Sequence, residues 1–445
     1  MAIELEDVGL LRNHRFRRLL ESRLLGQAGG NAMVYTLLIL VVVETGSSFS
    51  TAVLLLAFTL PGIVLAVPAG LSADALPKHV TLTAGYLMRA AIAMALAFYH
   101  SDLTYVYLLA GASSVVGQFF SPAETAAVPA VVRRDQLTAA NSWMVLTLVM
   151  GQIAGMVVLA PILLKLINPA AVFAACACLL LVASGVVAWT IGGFAGKSAA
   201  KSPSLGFSQA AREGFRILAA NPEAYLATVY LTTAIAVSRV LVVLLPTYIT
   251  DVLSINAEDT VFVAAPAAIG AGLGLLLAPP VSRLIGAWRS LAFGFWMFLL
   301  SVIALCIVVY VRNFLHDHVQ LDPGIGFVER EVGVSSVITI TMLLAIPLGF
   351  AFTLLSVAAR VVINEQAPSG AQGRVFAVQG ALADLFSLPP LMAAGIAADA
   401  VGERPVLLAV AVGSVLAASY LTVSRRRPPP AGRAGQASLD PHPSP

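Results

Sequence analysis

Charge is scarce in this chain. Asp, Glu, Lys and Arg make up 11% of its 445 residues, against about a quarter in an ordinary soluble domain. That shortage excludes a soluble globular protein of this length, which would have no way to cover its apolar surface. Cysteine is scarcer still. Cys176, Cys178 and Cys306 all fall within apolar runs. They form neither a disulfide framework nor a metal cluster and read as small packing residues. Catalytic signatures are missing too. The chain has no His-Glu-x-x-His, no Gly-x-Ser-x-Gly and no Gly-x-x-x-x-Gly-Lys-[Ser/Thr] run. No enzyme activity and no nucleotide-driven pump is expected. Basic and aromatic residues are not interleaved, so the net charge of +3 does not point to nucleic acid. His316-Asp317-His318 supplies too few ligands for a metal site. No cofactor or metal is expected.

What the chain has is hydrophobic length. Fully 59% of residues are hydrophobic and the mean hydropathy is +0.89. A bilayer crossing needs about 20 apolar residues. Such runs occupy 24–44, 50–73, 79–99, 103–124, 140–165, 170–192, 222–249, 259–282, 288–311, 335–364, 373–398 and 405–423. Hydrocarbon offers the backbone no hydrogen-bond partner, so each run is predicted to be a helix. The fold class is an all-α integral membrane protein with twelve transmembrane helices. Pro61-Gly62, Pro68, Pro347 and Pro389-Pro390 mark kinks within them. The first run is too long for a cleavable signal peptide and lacks a small-residue cleavage site.

Lys and Arg set the orientation. One side carries Arg12, Arg15, Arg17, Arg18 and Arg23, then Lys78, Arg133, Arg134, Lys197, Lys201, Arg212, Arg216, Arg283, Arg289, Arg374 and the basic residues of the tail. These are 19 of the 26 basic residues, which places both termini in the cytoplasm of a multi-pass plasma (inner) membrane protein. The opposite side has Lys165, Arg312, Arg330 and Arg404, while Arg89, Arg239 and Arg360 fall inside spans.

The organisation follows. Residues 1–23 form a basic arm, 24–192 a six-helix half, 193–221 a linker, 222–424 a second six-helix half and 425–445 a Pro-rich tail. In the linker Phe207, Ala211, Phe215 and Leu218 recur at helical spacing, the pattern of an amphipathic helix on a membrane surface. Thr51–Asp74 aligns without a gap on Thr260–Arg283. An internal repeat of this kind points to alternating access around a site between halves.

Polar residues inside spans are costly and so need a reason. Gln27, Asn31 and Tyr35 recur at i, i+4, i+8 in the first span, and Tyr107, Gly111, Ser114 and Gln118 follow a similar row in the fourth. Thr228, Thr232 and Arg239 share a face of the seventh span, and Thr353, Ser356 and Arg360 share one of the tenth. Such faces line a cavity or pack between helices. Asp384 is the carboxylate placed well inside a span; it is paired, wetted or protonated. It is a candidate for proton coupling, with an inter-helix hydrogen bond as the alternative. Glu124, near the expected end of the fourth span, is the second candidate.

At the end of the second span comes Gly70-Leu-Ser-Ala-Asp74, followed by Lys78. The glycine admits a neighbouring helix while the acid meets the rim. Here the chain resembles the major facilitator superfamily, with Ala75 and Pro77 in place of the usual basic residue and glycine. Phe119-Phe120-Ser121-Pro122-Ala123, Pro129, Ala140-Asn141 and Gly373-Arg374-Val375-Phe376 are similar to the branch holding the enterobactin exporter and macrolide-type efflux proteins. Exporters often follow Gly-x-x-x-Gly with proline in the fifth span, whereas Gly155 is followed here by Met156. The resemblance implies that spans one, four, seven and ten surround the cavity. It also implies a cytoplasmic gate formed by Asp74, the helix start at Gly373-Arg374 and the neighbouring counter-charge Arg89. The function so implied is secondary transport by alternating access: proton-coupled efflux of a small amphipathic molecule, drug-like or siderophore-like, by a monomer. A lysophospholipid transporter using Arg239 and Arg360, or a non-transporting receptor, is the alternative.

Overall fold

The computed structural model describes residues 10–75, 77–133, 136–191, 207–251, 261–307, 336–368 and 372–426. A turn at Leu10–Arg12 leads into α1 (His14–Thr45), α2 (Ser48–Ala75), α3 (Lys78–Tyr99) and α4 (Leu103–Val131). Next come α5 (Leu137–Gln152), a π-helical segment (Ile153–Leu159), α6 (Ala160–Leu166) and α7 (Pro169–Ile191). A linker helix α8 (Phe207–Ala220) precedes α9 (Pro222–Asp251), α10 (Val261–Ile285), α11 (Ala287–Cys306), α12 (Ser336–Gln366), α13 (Gln372–Val401) and α14 (Glu403–Arg426). Twelve of the described helical stretches are long and apolar enough to cross a membrane, α5 to α6 counting as one. Large apolar side chains such as Trp189, Leu284 and Leu276 are mostly exposed, as lipid-facing residues must be when the solvent is hydrocarbon.

Each half has its own core. In the first, Phe16, Tyr35, Tyr86, Phe173 and Leu180 are fully buried. In the second, the Tyr230 ring stacks on Phe295 at 4.4 Å, and Phe298 and Leu291 pack in the same cluster. With no hydrophobic drive between helices in lipid, close backbone approach carries the packing. A Cβ at Gly155 would overlap the backbone of Ala28 on α1, and one at Gly274 would lie 2.7 Å from the Phe350 carbonyl on α12. Gly151 and Gly155 thus pack on α1 beside the π-helical segment, where no Gly-Pro step occurs.

Helix ends follow local chemistry. Asn13 caps α1: its Oδ1 accepts from the amides of Arg15 (3.0 Å) and Phe16 (3.3 Å). Its Nδ2 donates to the Val131 carbonyl at 2.8 Å, tying the start of α1 to the end of α4. The first helix therefore starts ten residues before the expected span, and Arg23 belongs to it rather than to a basic arm. Gly46 closes α1 with φ +60°, the left-handed conformation that glycine adopts freely. Likewise α4 continues to Val131 with Pro122 and Pro129 inside it, past its expected end at 124.

The amphipathic linker forms α8. It packs against the beginning of α13: a Cβ at Gly214 would lie 2.8 Å from the Arg374 carbonyl, and Leu218 is buried. The two halves meet where α2 crosses α13, with Ala52 of α2 buried in the second half's core.

Candidate functional site

A cavity of about 330 Å³ opens among α1, α2, α3 and α4. Gln27, Asn31, Ser114 and Gln118 line it, as does Arg89. The cavity lies within the first half. Tyr35 is not part of it; its ring is 1% exposed in the core. Residues four apart on a helix drift by about 40° per step, because a turn is about 3.6 residues, so the third member of the row turns away. Ser114 also donates its Oγ hydrogen to the Phe58 carbonyl, and Tyr107 donates to Ser50 O at 3.3 Å. Both therefore join α4 to α2, and Tyr107 is an inter-helix tie rather than a lining residue. Asn31 Nδ2 donates to the Gln27 carbonyl at 2.8 Å.

Buried charge sits beside this cavity. Arg23 on α1 donates to the Glu124 carboxylate on α4, and its Nε donates to the Met144 carbonyl on α5 at 3.2 Å. The side chains are 14% and 6% exposed. Glu124 is thus a buried partner in an ion pair, not a residue at a loop edge. Arg89 lies eleven residues into α3 from Lys78, about 16 Å along the helix axis at 1.5 Å per residue. Its guanidinium packs 5.3 Å from the centroid of Phe120, half-way through the membrane-spanning helix rather than at the rim expected for a gate residue.

A second pair joins α9 to α13. Arg239 donates to the Asp384 carboxylate and to Ser387 Oγ, and Ser387 Oγ donates to the Asp384 carbonyl at 3.0 Å. The pair is 23% and 34% exposed. Asp384 is therefore paired, and Arg239 is committed to it rather than presented to a ligand. Thr232 keeps its Oγ1 buried without a hydrogen-bond partner among the described residues. Ser356 donates back to the Phe352 carbonyl at 2.7 Å, and Arg360 is exposed. Thr232, Arg239, Ser356 and Arg360 do not converge with the first-half cavity.

The end of the bundle away from the chain termini is held shut by contacts across the halves. Asp399, at the end of α13, accepts from Ser47 Oγ (2.5 Å), the Ser48 amide (2.7 Å) and the Phe49 amide (3.4 Å). These amides are the free donors at the start of α2, where the helix dipole favours negative charge. Ser48 and Thr247 of α9 share a buried hydroxyl hydrogen bond of 2.8 Å. Gly395 makes the approach possible: a Cβ there would lie 2.9 Å from the Ala52 Cβ and 3.0 Å from the Phe49 Cα. Sequence reasoning missed this cluster. Ser47-Ser48 before an apolar run is a readable helix start, but nothing marked Asp399 as its distant partner.

At the other end, Gly70 and Asp74 lie in the last turns of α2 and Lys78 opens α3; the surroundings of the Asp74 side chain lie outside the described residues. Arg374, in the first turn of α13, pairs with Glu213 of α8 at 3.3 Å. The linker helix is thus attached to the helix start that the resemblance assigns to the gate. His316, Asp317 and His318 also lie outside the described residues. No cluster of three or more metal-ligating side chains occurs among the described ones.

Residues 24–389 match the Major Facilitator Superfamily. The chain belongs to that superfamily. No curated protein sequence is significantly similar to it. Solved structures share the fold at low identity. A bacterial homologue of the human lysosomal transporter Spinster, inward-facing and unoccupied, is 13% identical with a TM-score of 0.69, over 93% of this chain and 97% of that one. A bacterial homologue of the iron transporter ferroportin, inward-facing, is 16% identical with a TM-score of 0.68, over 94% and 99%. A nucleoside transporter is 12% identical with a TM-score of 0.69, over 93% and 100%. This member of the superfamily is a multi-pass membrane transporter.

Proposed function

We propose that the chain is a secondary active transporter that exports a small amphipathic molecule across the plasma membrane in exchange for protons, with both termini cytoplasmic. The observation that carries alternating access is the Asp399 cluster. It joins the halves at one end through hydrogen bonds that are exposed or part-buried, a contact that can break and re-form without unfolding either core. At the opposite end, Gly70, Asp74, Lys78, Gly373 and Arg374 form the cytoplasmic gate. The Phe119–Ala123 and Gly373–Phe376 stretches favour the enterobactin-exporter and macrolide-efflux branch. Asp384 is the coupling group. Its carboxylate is about a third exposed, and neutralising it would break the ion pair that joins α9 to α13. The lysophospholipid reading finds less support, because Arg239 is already engaged and Arg360 points elsewhere.

The test compares accumulation of neutral, cationic and anionic amphipathic dyes in cells with and without the protein. The expected result is lower accumulation of at least one dye, restored by a proton uncoupler. Equal accumulation in both cell types, or a difference that survives the uncoupler, contradicts proton-driven efflux.

A further inference from the structure

Arg89 is the buried cation for which the transport scheme has no use. It sits in the middle of α3, far from either rim. Its Nε is buried with no hydrogen-bond partner, and its nitrogens donate to no described residue. The guanidinium stays charged in any protein environment. A charge within a span that lacks a hydrogen-bonded counter-ion is costly and marks a functional position. Glu124 is within electrostatic reach of Arg89, but Arg23 reaches it too and hydrogen-bonds to it. Among the described residues, two cations against one carboxylate leave a positive charge unanswered. The attraction from the Phe120 ring, at 5.3 Å, orients the guanidinium without neutralising it.

The surroundings are built to receive a ligand. Arg89 lines the first-half cavity, whose other polar walls are the amides of Gln27, Asn31 and Gln118 and the hydroxyls of Ser113 and Ser114. Its volume of about 330 Å³ falls in the range of small-molecule sites. Two glycines open it. A Cβ at Gly117 would lie 3.3 Å from Arg89 Nη2, and one at Gly62 would lie 3.2 Å from Gln118 Nε2. Gln118 makes no hydrogen bond to a described residue, so its amide is free to donate. A planar cation with an adjacent amide donor fits a carboxylate, which accepts two parallel N–H bonds from guanidinium.

We propose that Arg89 anchors a carboxylate of the transported molecule, so that the substrate is an organic anion bound in the α1–α4 cavity with Gln118 as a second donor. The proposal rests on the transporter reading for its role but not for its test. Binding of radiolabelled benzoate and of its neutral counterpart benzamide is measured on the purified full chain in lipid nanodiscs. Benzoate should bind at least tenfold more tightly than benzamide. Arg89→Gln should erase that preference, and Arg89→Lys should keep part of it, as a point charge without the planar fork. Where Arg89→Gln does not fold, Gly117→Leu keeps the charge but fills the space beside Nη2, and should weaken benzoate binding tenfold. Equal binding of the two probes, no saturable benzoate binding, or a preference that survives Arg89→Gln or Gly117→Leu would overturn the site. Charge-selective binding without uncoupler-sensitive dye efflux would sink the export reading alone; efflux without charge-selective binding would sink the anion site alone.

Discussion

Arg23 with Glu124 and Arg239 with Asp384 are chemically alike, but their burial separates them. The first pair is 14% and 6% exposed and is also tied to the Met144 carbonyl. Removing one partner of such a pair strands the other and costs about 3–5 kcal/mol. Glu124→Gln should therefore lower the temperature at which the detergent-solubilised protein stays monodisperse. The double change Arg23→Gln with Glu124→Gln should lose less than Glu124→Gln alone, since no charge is left without its partner. A single variant as heat-resistant as the parent would show that Glu124 does not hold α1 to α4. The second pair is less buried, at 23% and 34% exposed, so loss of the carboxylate strands its partner less completely than in the first. Asp384→Asn should accordingly fold and insert normally. Its expected defect is in coupling: flux in proteoliposomes should no longer respond to an imposed pH gradient, while Glu124→Gln that survives purification keeps the response. A full gradient response in Asp384→Asn places coupling elsewhere.

At the scale of whole helices, the proposed closure at the end away from the termini is the contact of α13 with α2. Asp399 sits on the amides that begin α2, a charge–dipole contact worth about 0.3–1 kcal/mol exposed and up to roughly 2 when partly buried. Asp399→Asn should shift the open and closed populations several-fold. Gly395→Val should do more, because even a Cβ would come within 3.0 Å of Phe49. Both are read by alkylation of Thr247→Cys, now buried, in a chain freed of Cys176, Cys178 and Cys306. An unchanged labelling rate in Gly395→Val would show that this contact is not a gate. The matching change at the other end, Asp74→Asn, should lower efflux while leaving the amount of inserted protein constant; undiminished efflux removes Asp74 from the gate. The helices themselves were legible because the length of an apolar run states a crossing directly. Helix ends were less so. α1 and α4 overran their expected limits, since Asn13 caps one and α4 carries Pro122 and Pro129 within it. Pairing between helices was not legible. Which residue of α13 meets α2 depends on tilt and rotation, which no single helix encodes, so Arg239 was not named as the partner of Asp384 and Asp399 passed unnoticed. Tyr35 shows the same limit within one helix, where the drift of the i, i+4 row carried it into the core.

For the molecule as a whole, the distribution of charge and the fold make one joint claim. Twelve crossings put both chain ends on one face, and the proposal that this face is cytoplasmic rests on the excess of Lys and Arg between alternate spans. The bias is repeated at loop after loop, from Arg133 and Arg134 to Arg283 and Arg289, so no single residue decides it. The same proposal would give the Asp399 closure a direction: with the termini inside, the end it joins is external. Arg23 and Arg374 are exceptions that matter little. Each belongs to the basic side by position but is consumed in a pair with Glu124 or Glu213, and the bias survives without them. The check uses single cysteines in a chain freed of its native ones, with a membrane-impermeant thiol reagent applied to intact cells. A cysteine at Gly324, between α11 and α12, should be labelled from outside. One at Ser204, between α7 and α8, should react only after the membrane is permeabilised. The reverse pattern would invert the molecule, and with it the external assignment of the Asp399 closure and the direction in which an outward proton–substrate exchange has to run.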